Sequence, residues 1–281
     1  MQTDQHFPMI PSDRQDDLHH LENAETADLV LFMAGNQFMA MEELVAEFRC
    51  EFPEVVKIFY ETLPPGLELK QILAGGAIFR GRAIRVRPDV YTAVNRKAMQ
   101  TLENAGLIRK GDYRPYLRNR LTLMVPAGNP ADIQSVTDLG REDVRVSQPD
   151  PANEDIAFHI MDMYRQAGGD DLVRRIMDEK REQGTTLYTV VHHRETPRRI
   201  CEQTVDVGPV WATEAAHAAA AGFDFEVVEP GEDLDRREHV EYYICRLSVS
   251  AHPENAQKFI KFIQSSAARK IYRRYGFLTP P

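Results

Sequence analysis

Apolar and polar positions alternate along this chain in two recurring ways. Continuous apolar runs of four to six residues read as buried strands, and runs with apolar residues three and four apart read as helices packed on one face. Residues 29–34 are such a run, residues 35–37 a turn, and Phe38, Met41, Leu44, Val45 and Phe48 recur at helical spacing. A second unit predicts a strand over 55–60, a turn at 61–66 and a helix over 67–74. Alternation of apolar and basic residues around Gly81 predicts a hairpin over 78–86, whose Arg80, Arg82, Arg85 and Arg87 read as a solvated edge. A strand over 88–93 follows, with Asn95 as the cap of a helix ended by Gly106.

The same order restarts after an apolar run at 121–126. A strand over 144–147, a loop over 148–153 and a helix over 154–166 are expected, then a charged helix over 171–182. Residues 186–191 lead as a strand into His192, His193 and Arg194. Thr196-Pro197 there reads as an N-cap followed by the proline favoured at the first helical position. A strand over 205–211 ending at Trp211, an alanine-rich helix over 212–221, a strand over 242–249 and helices over 253–264 and 267–275 complete the pattern. Two successive sets of strand-helix units imply an α/β fold with two lobes, each with its own sheet. In such sheets ligands bind beyond the carboxyl ends of strands.

Composition narrows the function. The chain has 281 residues, of which 43% are hydrophobic and 27% charged, enough to bury a core in each of two lobes. No apolar run approaches the ~20 residues of a membrane-spanning helix, so the chain is not expected to span a membrane. A net charge of -9 opposes a nucleic-acid partner, which requires a basic footprint. Cys50, Cys201 and Cys245 offer neither a disulfide framework nor a metal motif. His192, Glu61 and Cys201 can be drawn as base, acid and nucleophile, but no catalytic motif accompanies them, and the chain is read as a non-enzyme without cofactor or metal. His192 and His193 share a metal only if the backbone turns between them. The N-terminal 27 residues are acidic and polar, lack the basic start and apolar core of a secretory signal, and read as a flexible arm. That leaves either a cytoplasmic protein or one whose signal lies outside this sequence.

The opening strand, loop and helix over 29–48, the Pro88-Asp89-Val90-Tyr91 segment, the run from Asp206 to Trp211 and the closing segment ending Tyr272-Arg273-Arg274-Tyr275-Gly276-Phe277 together resemble the type II periplasmic solute-binding proteins, within them the molybdate- and tungstate-binding branch. The resemblance implies a clamp with a discontinuous first lobe, 28–122 plus 246–281, and a second lobe, 123–245, with a ligand cleft between them. It also implies an anion-binding, extracytoplasmic component of an ABC uptake system, monomeric, partnered by a membrane permease; the alternative is a cytoplasmic sensor of the same fold. Expected ligand residues are Gly35, Asn36, Gln37, Glu61, Thr62 and Tyr91 in the first lobe, and Ser147, Pro149, Asn153, His192, His193, Arg194, Thr196 and Trp211 in the second. Molybdate binders of this family present serine hydroxyls from the first two loops, where this chain has Asn36, Gln37, Glu61 and Thr62. An ionised Glu61 would repel an oxyanion, so a zwitterion, a hydroxylated carboxylate or an anion-metal complex is also compatible.

Overall fold

The structure, a computed structural model, describes residues 6–152, 154–190 and 194–279. Unit 1 comprises Met1–Leu117, Glu241–Arg274 and Thr279–Pro281; unit 2 comprises Arg118–Val240 and Tyr275–Leu278. The chain therefore passes into unit 2 at residue 118 and back at 241. Residues 275–278 belong with unit 2, where Arg118 and Leu278 form an antiparallel bridge.

In unit 1 the strands are β1 (Met9–Ile10), β2 (Leu18–His19), β3 (Leu29–Phe32), β4 (Ile58–Glu61), β5 (Ala77–Phe79), β6 (Arg82–Ile84), β7 (Val90–Ala93) and β8 (Tyr113–Arg118). Unit 2 contributes β9 (Leu121–Pro126), β10 (Val146–Gln148), β11 (Thr186–Tyr188), β12 (Gly208–Trp211) and β13 (Phe225–Val228), and β14 (Glu241–Arg246) returns to unit 1.

The main sheet of unit 1 has the order β2-β4-β3-β7-β14-β8. β3, β4 and β7 run parallel, each followed by a helix: Phe38–Glu51, Pro65–Ala74 and Arg96–Asn104. β3, β4 and β7 are buried along their whole length, which is why they read as unbroken apolar runs. Asn95 caps its helix as expected, its side chain accepting from the Ala98 amide at 2.9 Å. The closing helices, Pro253–Ile263 and Ser266–Arg274, belong to unit 1, and Phe259 and Phe262 pack on Phe48 with ring centroids 5.3 and 5.5 Å away. Asp89, wholly buried, ties β7 in place: its carboxylate accepts from the Val30 amide at 2.8 Å, the Ser250 hydroxyl at 2.6 Å and the His252 amide at 3.0 Å. The expected hairpin is β5-β6, turned through Arg80 and Gly81 at φ 48° and 76°. β1 extends that hairpin into a three-stranded sheet, and β2 pairs with β4. Residues 9–10 and 18–19, inside the segment expected as an arm, thus have strand partners, with Ile10 and Leu18 buried.

In unit 2, β12 and β13 flank β9 antiparallel, while β10 and β11 pair in parallel. A parallel bridge between Val146 and Val207 joins the two pieces. The helical run Ile156–Arg174 is broken at Gly168 and Gly169, the latter at φ 71°, so the two helices expected from the sequence are separate. Met124, Ile200, Val205, Val210, Ala215 and Ala218 form a core of this unit. The helix expected to start with Thr196 as cap and Pro197 first begins two residues earlier: it spans Glu195–Cys201 with Arg194 at the cap position.

Candidate functional site

In unit 1 the loops leaving the carboxyl ends of β3 and β4 lie directly on one another. A Cβ at Gly35 would sit 2.9 Å from the Thr62 carbonyl oxygen and 3.1 Å from that of Leu63, so only glycine permits this approach. Gln37, fully buried, is bonded on all sides: its amide nitrogen donates to Thr92 Oγ1 at 3.2 Å, and its oxygen accepts from the hydroxyls of Tyr116 and Tyr272, both at 2.7 Å. Burial drives the Tyr116 phenol above its ordinary value, so it remains a donor. The Asn36 amide nitrogen donates to the Tyr242 hydroxyl, while Asn36 Oδ1 is buried and accepts no hydrogen bond. An amide oxygen left in that state costs about 1–3 kcal/mol. Tyr91 turns inward, donating to the Pro65 carbonyl at 2.9 Å.

Glu61 ends β4 beneath the helix Pro65–Ala74. One carboxyl oxygen accepts from Gln71 Nε2 at 2.9 Å; the other has no partner. Burial raises its pKa to about 8, against which the Gln71 bond pulls only partly. Glu61 is therefore mainly uncharged at neutral pH, and the charge repulsion anticipated from the sequence does not arise. Glu68, on the same helix, is also wholly buried, with no side-chain partner on either oxygen and the Leu63 backbone amide nearby as a weak donor. Burial first, then the neighbouring carboxyls of Glu61 and Asp17, hold it well above the usual carboxylate range.

The loops of unit 2 have a different character. Ser147, in the middle of β10, is fully buried, its hydroxyl 2.8 Å from that of Thr196. Arg199 joins them: it donates to Ser147 Oγ at 3.2 Å, to the Leu187 and Tyr188 carbonyls at 2.9 and 3.1 Å, and to Glu195 at 2.6 Å. Glu195 in turn accepts from the Val190 amide at 2.6 Å. A Cβ on Gly208 would sit 2.3 Å from the Thr196 methyl, so β12 can approach this hydroxyl pair only with glycine there. Arg194 is exposed. Its charge, after burial, helps keep the His217 pKa below the ordinary imidazole value, which places it near the helix Ala212–Ala220 that follows β12. Pro149 is buried and its carbonyl accepts from Gln148 at 3.2 Å. Trp211 is buried with its ring 5.7 Å from His159, a packing position. Asn153, His192 and His193 lie outside the described residues.

The structure thus brings together Gly35, Asn36, Gln37, Glu61 and Thr62 in one unit and Ser147, Thr196 and Arg194 near the strand ends of the other. Sequence reasoning missed Arg199, although Glu195 and Arg199 stand four apart on a helix, a readable ion-pair spacing. It also missed Glu68, Tyr116 and Tyr272, whose roles depend on contacts distant in sequence. Among the described residues no group of three His, Cys, Asp or Glu side chains is arranged to hold a metal. Cys201 donates weakly to the Asp224 carbonyl, and burial raises its pKa, which disfavours a nucleophilic thiolate.

Residues 29–278 match the family of bacterial extracellular solute-binding proteins. The chain belongs to this family. No curated protein sequence matches it. Solved structures agree in fold. The periplasmic molybdate-binding protein of Azotobacter vinelandii is 17% identical with a TM-score of 0.70, covering 90% of this chain and 100% of that one. The sulfate-binding protein SubI of Mycobacterium tuberculosis is 18% identical with a TM-score of 0.69 over 89% and 85%. Iron-bound HitA of Pseudomonas aeruginosa is 14% identical with a TM-score of 0.67 over 86% and 82%. The fold is that of type II solute-binding proteins and resembles the molybdate-binding branch. Among the described residues no helix is long and apolar enough to cross a membrane.

Proposed function

We propose that this solute-binding protein delivers a small anionic solute to an ABC-type permease from outside the cytoplasm, and that a molybdate- or tungstate-like oxyanion is the first candidate. The observation that carries the reading is the buried hydroxyl pair of Ser147 and Thr196, 2.8 Å apart beside the carboxyl end of β10, where α/β sheets bind ligands; Ser147 Oγ accepts from Arg199, and of the two hydroxyl protons the pair uses only one on itself. In unit 2 the Ser147 and Thr196 hydroxyls and the fixed charge of Arg194 supply donors suited to an anion. The uncharged state of Glu61 removes the main objection to an anion in unit 1.

Thermal unfolding in the presence of molybdate, tungstate, sulfate, phosphate, carboxylates and amino acids tests the proposal. A solute at one hundred times its dissociation constant adds ~2.7 kcal/mol to the stability of the folded state. Stabilisation by oxyanions but not by neutral or cationic solutes supports the reading. Stabilisation only by cationic solutes overturns it.

A further inference from the structure

Residues 14–19 lie across the edge of β4 at the point where the proposed ligand loop begins. The strand pairing is short: Leu18, buried in a cluster with Ile10, Leu63, Ala77 and Phe79, opposes Glu61, His19 opposes Tyr60, and the Thr62 amide donates to the Asp17 carbonyl at 2.9 Å. His19 stacks on Tyr60 with ring centroids 4.2 Å apart and its Nε2 lies 3.4 Å from Thr62 Oγ1. Both polar groups through which Thr62 can reach a solute are therefore engaged by this segment.

Beneath the segment lie Glu61 and Glu68, both fully buried; Glu61 Oε1 is unpartnered, and the Glu68 carboxyl has no side-chain partner, with only the Leu63 backbone amide nearby. A carboxylate in that environment has neither water nor a cation to stabilise it, whereas a protonated carboxyl is tolerated. The titratable groups facing the pair are few. Asp17 comes from the overlying turn, itself paired with Arg14 at 3.4 Å, and Tyr116 comes from β8; Gln71 adds a neutral donor from the helix. His19 and Tyr60 flank the β2-β4 contact. None of these supplies a positive charge to the two glutamates, and Asp17 adds a negative one.

We propose that residues 14–19 are a pH-released strap, seated on β4 and Thr62 while Glu61 and Glu68 are protonated and displaced when these buried carboxyls ionise and discharge their protons to solvent. Ionisation draws water to the pair, and β2, a two-residue strand paired with β4 at Glu61 itself, is the element that covers this strand edge. Repulsion between Asp17 and the ionised Glu68 acts in the same direction. That release exposes a ligand-binding group rests on the function proposed above; the movement of the strap does not.

Hydrogen-deuterium exchange of the full chain at pH 7 and pH 9.5, corrected for intrinsic exchange rates, tests the strap without any solute. The expected result is a loss of protection of at least tenfold in a peptide covering residues 14–20 and at the Thr62 amide, with the helix Phe38–Glu51 unchanged. Glu68→Gln and Glu61→Gln flatten the response, and Asp17→Asn, on the strap itself, reduces it without altering the buried pair. Equal protection at the two pH values in the wild-type protein overturns the proposal. So does an undiminished loss in both glutamine variants. Failure of every oxyanion to stabilise the protein, with the strap still responding, overturns the ligand assignment alone.

Discussion

The strand-end loops of unit 1 and unit 2 solve the same problem with opposite chemistry. In unit 1 the polar groups are withdrawn from water and kept uncharged: Gln37 is surrounded by hydroxyls, and Glu61 and Glu68 are buried acids held in their protonated form. In unit 2 charge is retained: Arg199 is paired with Glu195, and Arg194 lies on the exposed surface. A neutral, rigid set of amides and hydroxyls fixes orientation and rejects solutes that leave a buried partner unmatched. A cationic set sets the sign of the solute and its rate of capture. Under the function proposed above, the unit 1 set would discriminate among solutes and the unit 2 set would favour anions.

The comparison is broken most forcefully at Arg199. Its pair with Glu195 is nearly buried, and Arg199→Ala leaves that carboxylate, two carbonyls and the Ser147 hydroxyl without their donor. A loss of about 3–5 kcal/mol is expected in denaturant unfolding. A loss below 1 kcal/mol shows that the bracing of unit 2 lies elsewhere. In unit 1 the matching change is Gln37→Ala, which strips the Tyr116 and Tyr272 hydroxyls of their acceptor. About 2–4 kcal/mol should be lost, and Gln37→Glu should not restore it, because a buried carboxyl replaces one deficit by another.

A pH series sharpens the contrast between buried acid and exposed cation. The folded-state pKa of Glu61, about 8, lies above its value of 4.5 in the unfolded chain. Its protonation therefore contributes stability that is complete below pH 4.5 and is lost as pH rises through 8. Between pH 6 and pH 9 the wild-type protein should lose on the order of 2 kcal/mol that Glu61→Gln retains. Chemical denaturation of both proteins across that range decides it; parallel curves would mean the carboxyl is already ionised in the fold. The smallest effect is expected at Arg194. Arg194→Ala should weaken anion binding about tenfold, near 1.4 kcal/mol, while changing stability by no more than about 0.5 kcal/mol. Unchanged affinity by titration calorimetry removes Arg194 from the site.

Much of the fold was legible because each buried parallel strand leaves an apolar run and each helix a repeating face. β3, β7, β9 and the helix capped by Asn95 lie where the pattern puts them. β8 and β13 were not legible. The first, YRPYLR, mixes exposed and buried positions around a proline, and the second, FEVV, has no fully buried residue. Their strand character comes from the neighbours they join. β1 and β2, two residues each, are too short to carry a period at all. The expected strand over 186–191 ends at Tyr188 because Val190 is exposed, its apolar character notwithstanding.

The candidate site was legible as a set of loops but not as a set of roles. Gly35, Asn36, Glu61, Thr62, Ser147 and Thr196 follow from the rule that strand ends bind ligands. That Gln37 and Tyr91 turn inward, and that Glu61 faces a second buried acid, did not follow, since Gln37 meets Tyr272 across 235 residues of chain. Local pattern by itself determined the order of strands and helices, the two sets of units and the loops that close them, because those depend on side chains a few positions apart. Tertiary structure alone decided which polar groups are charged. Protonation depends on solvent and on partners brought from distant parts of the chain, and so Glu61, which as a sequence letter is an anion, is in the fold a buried acid.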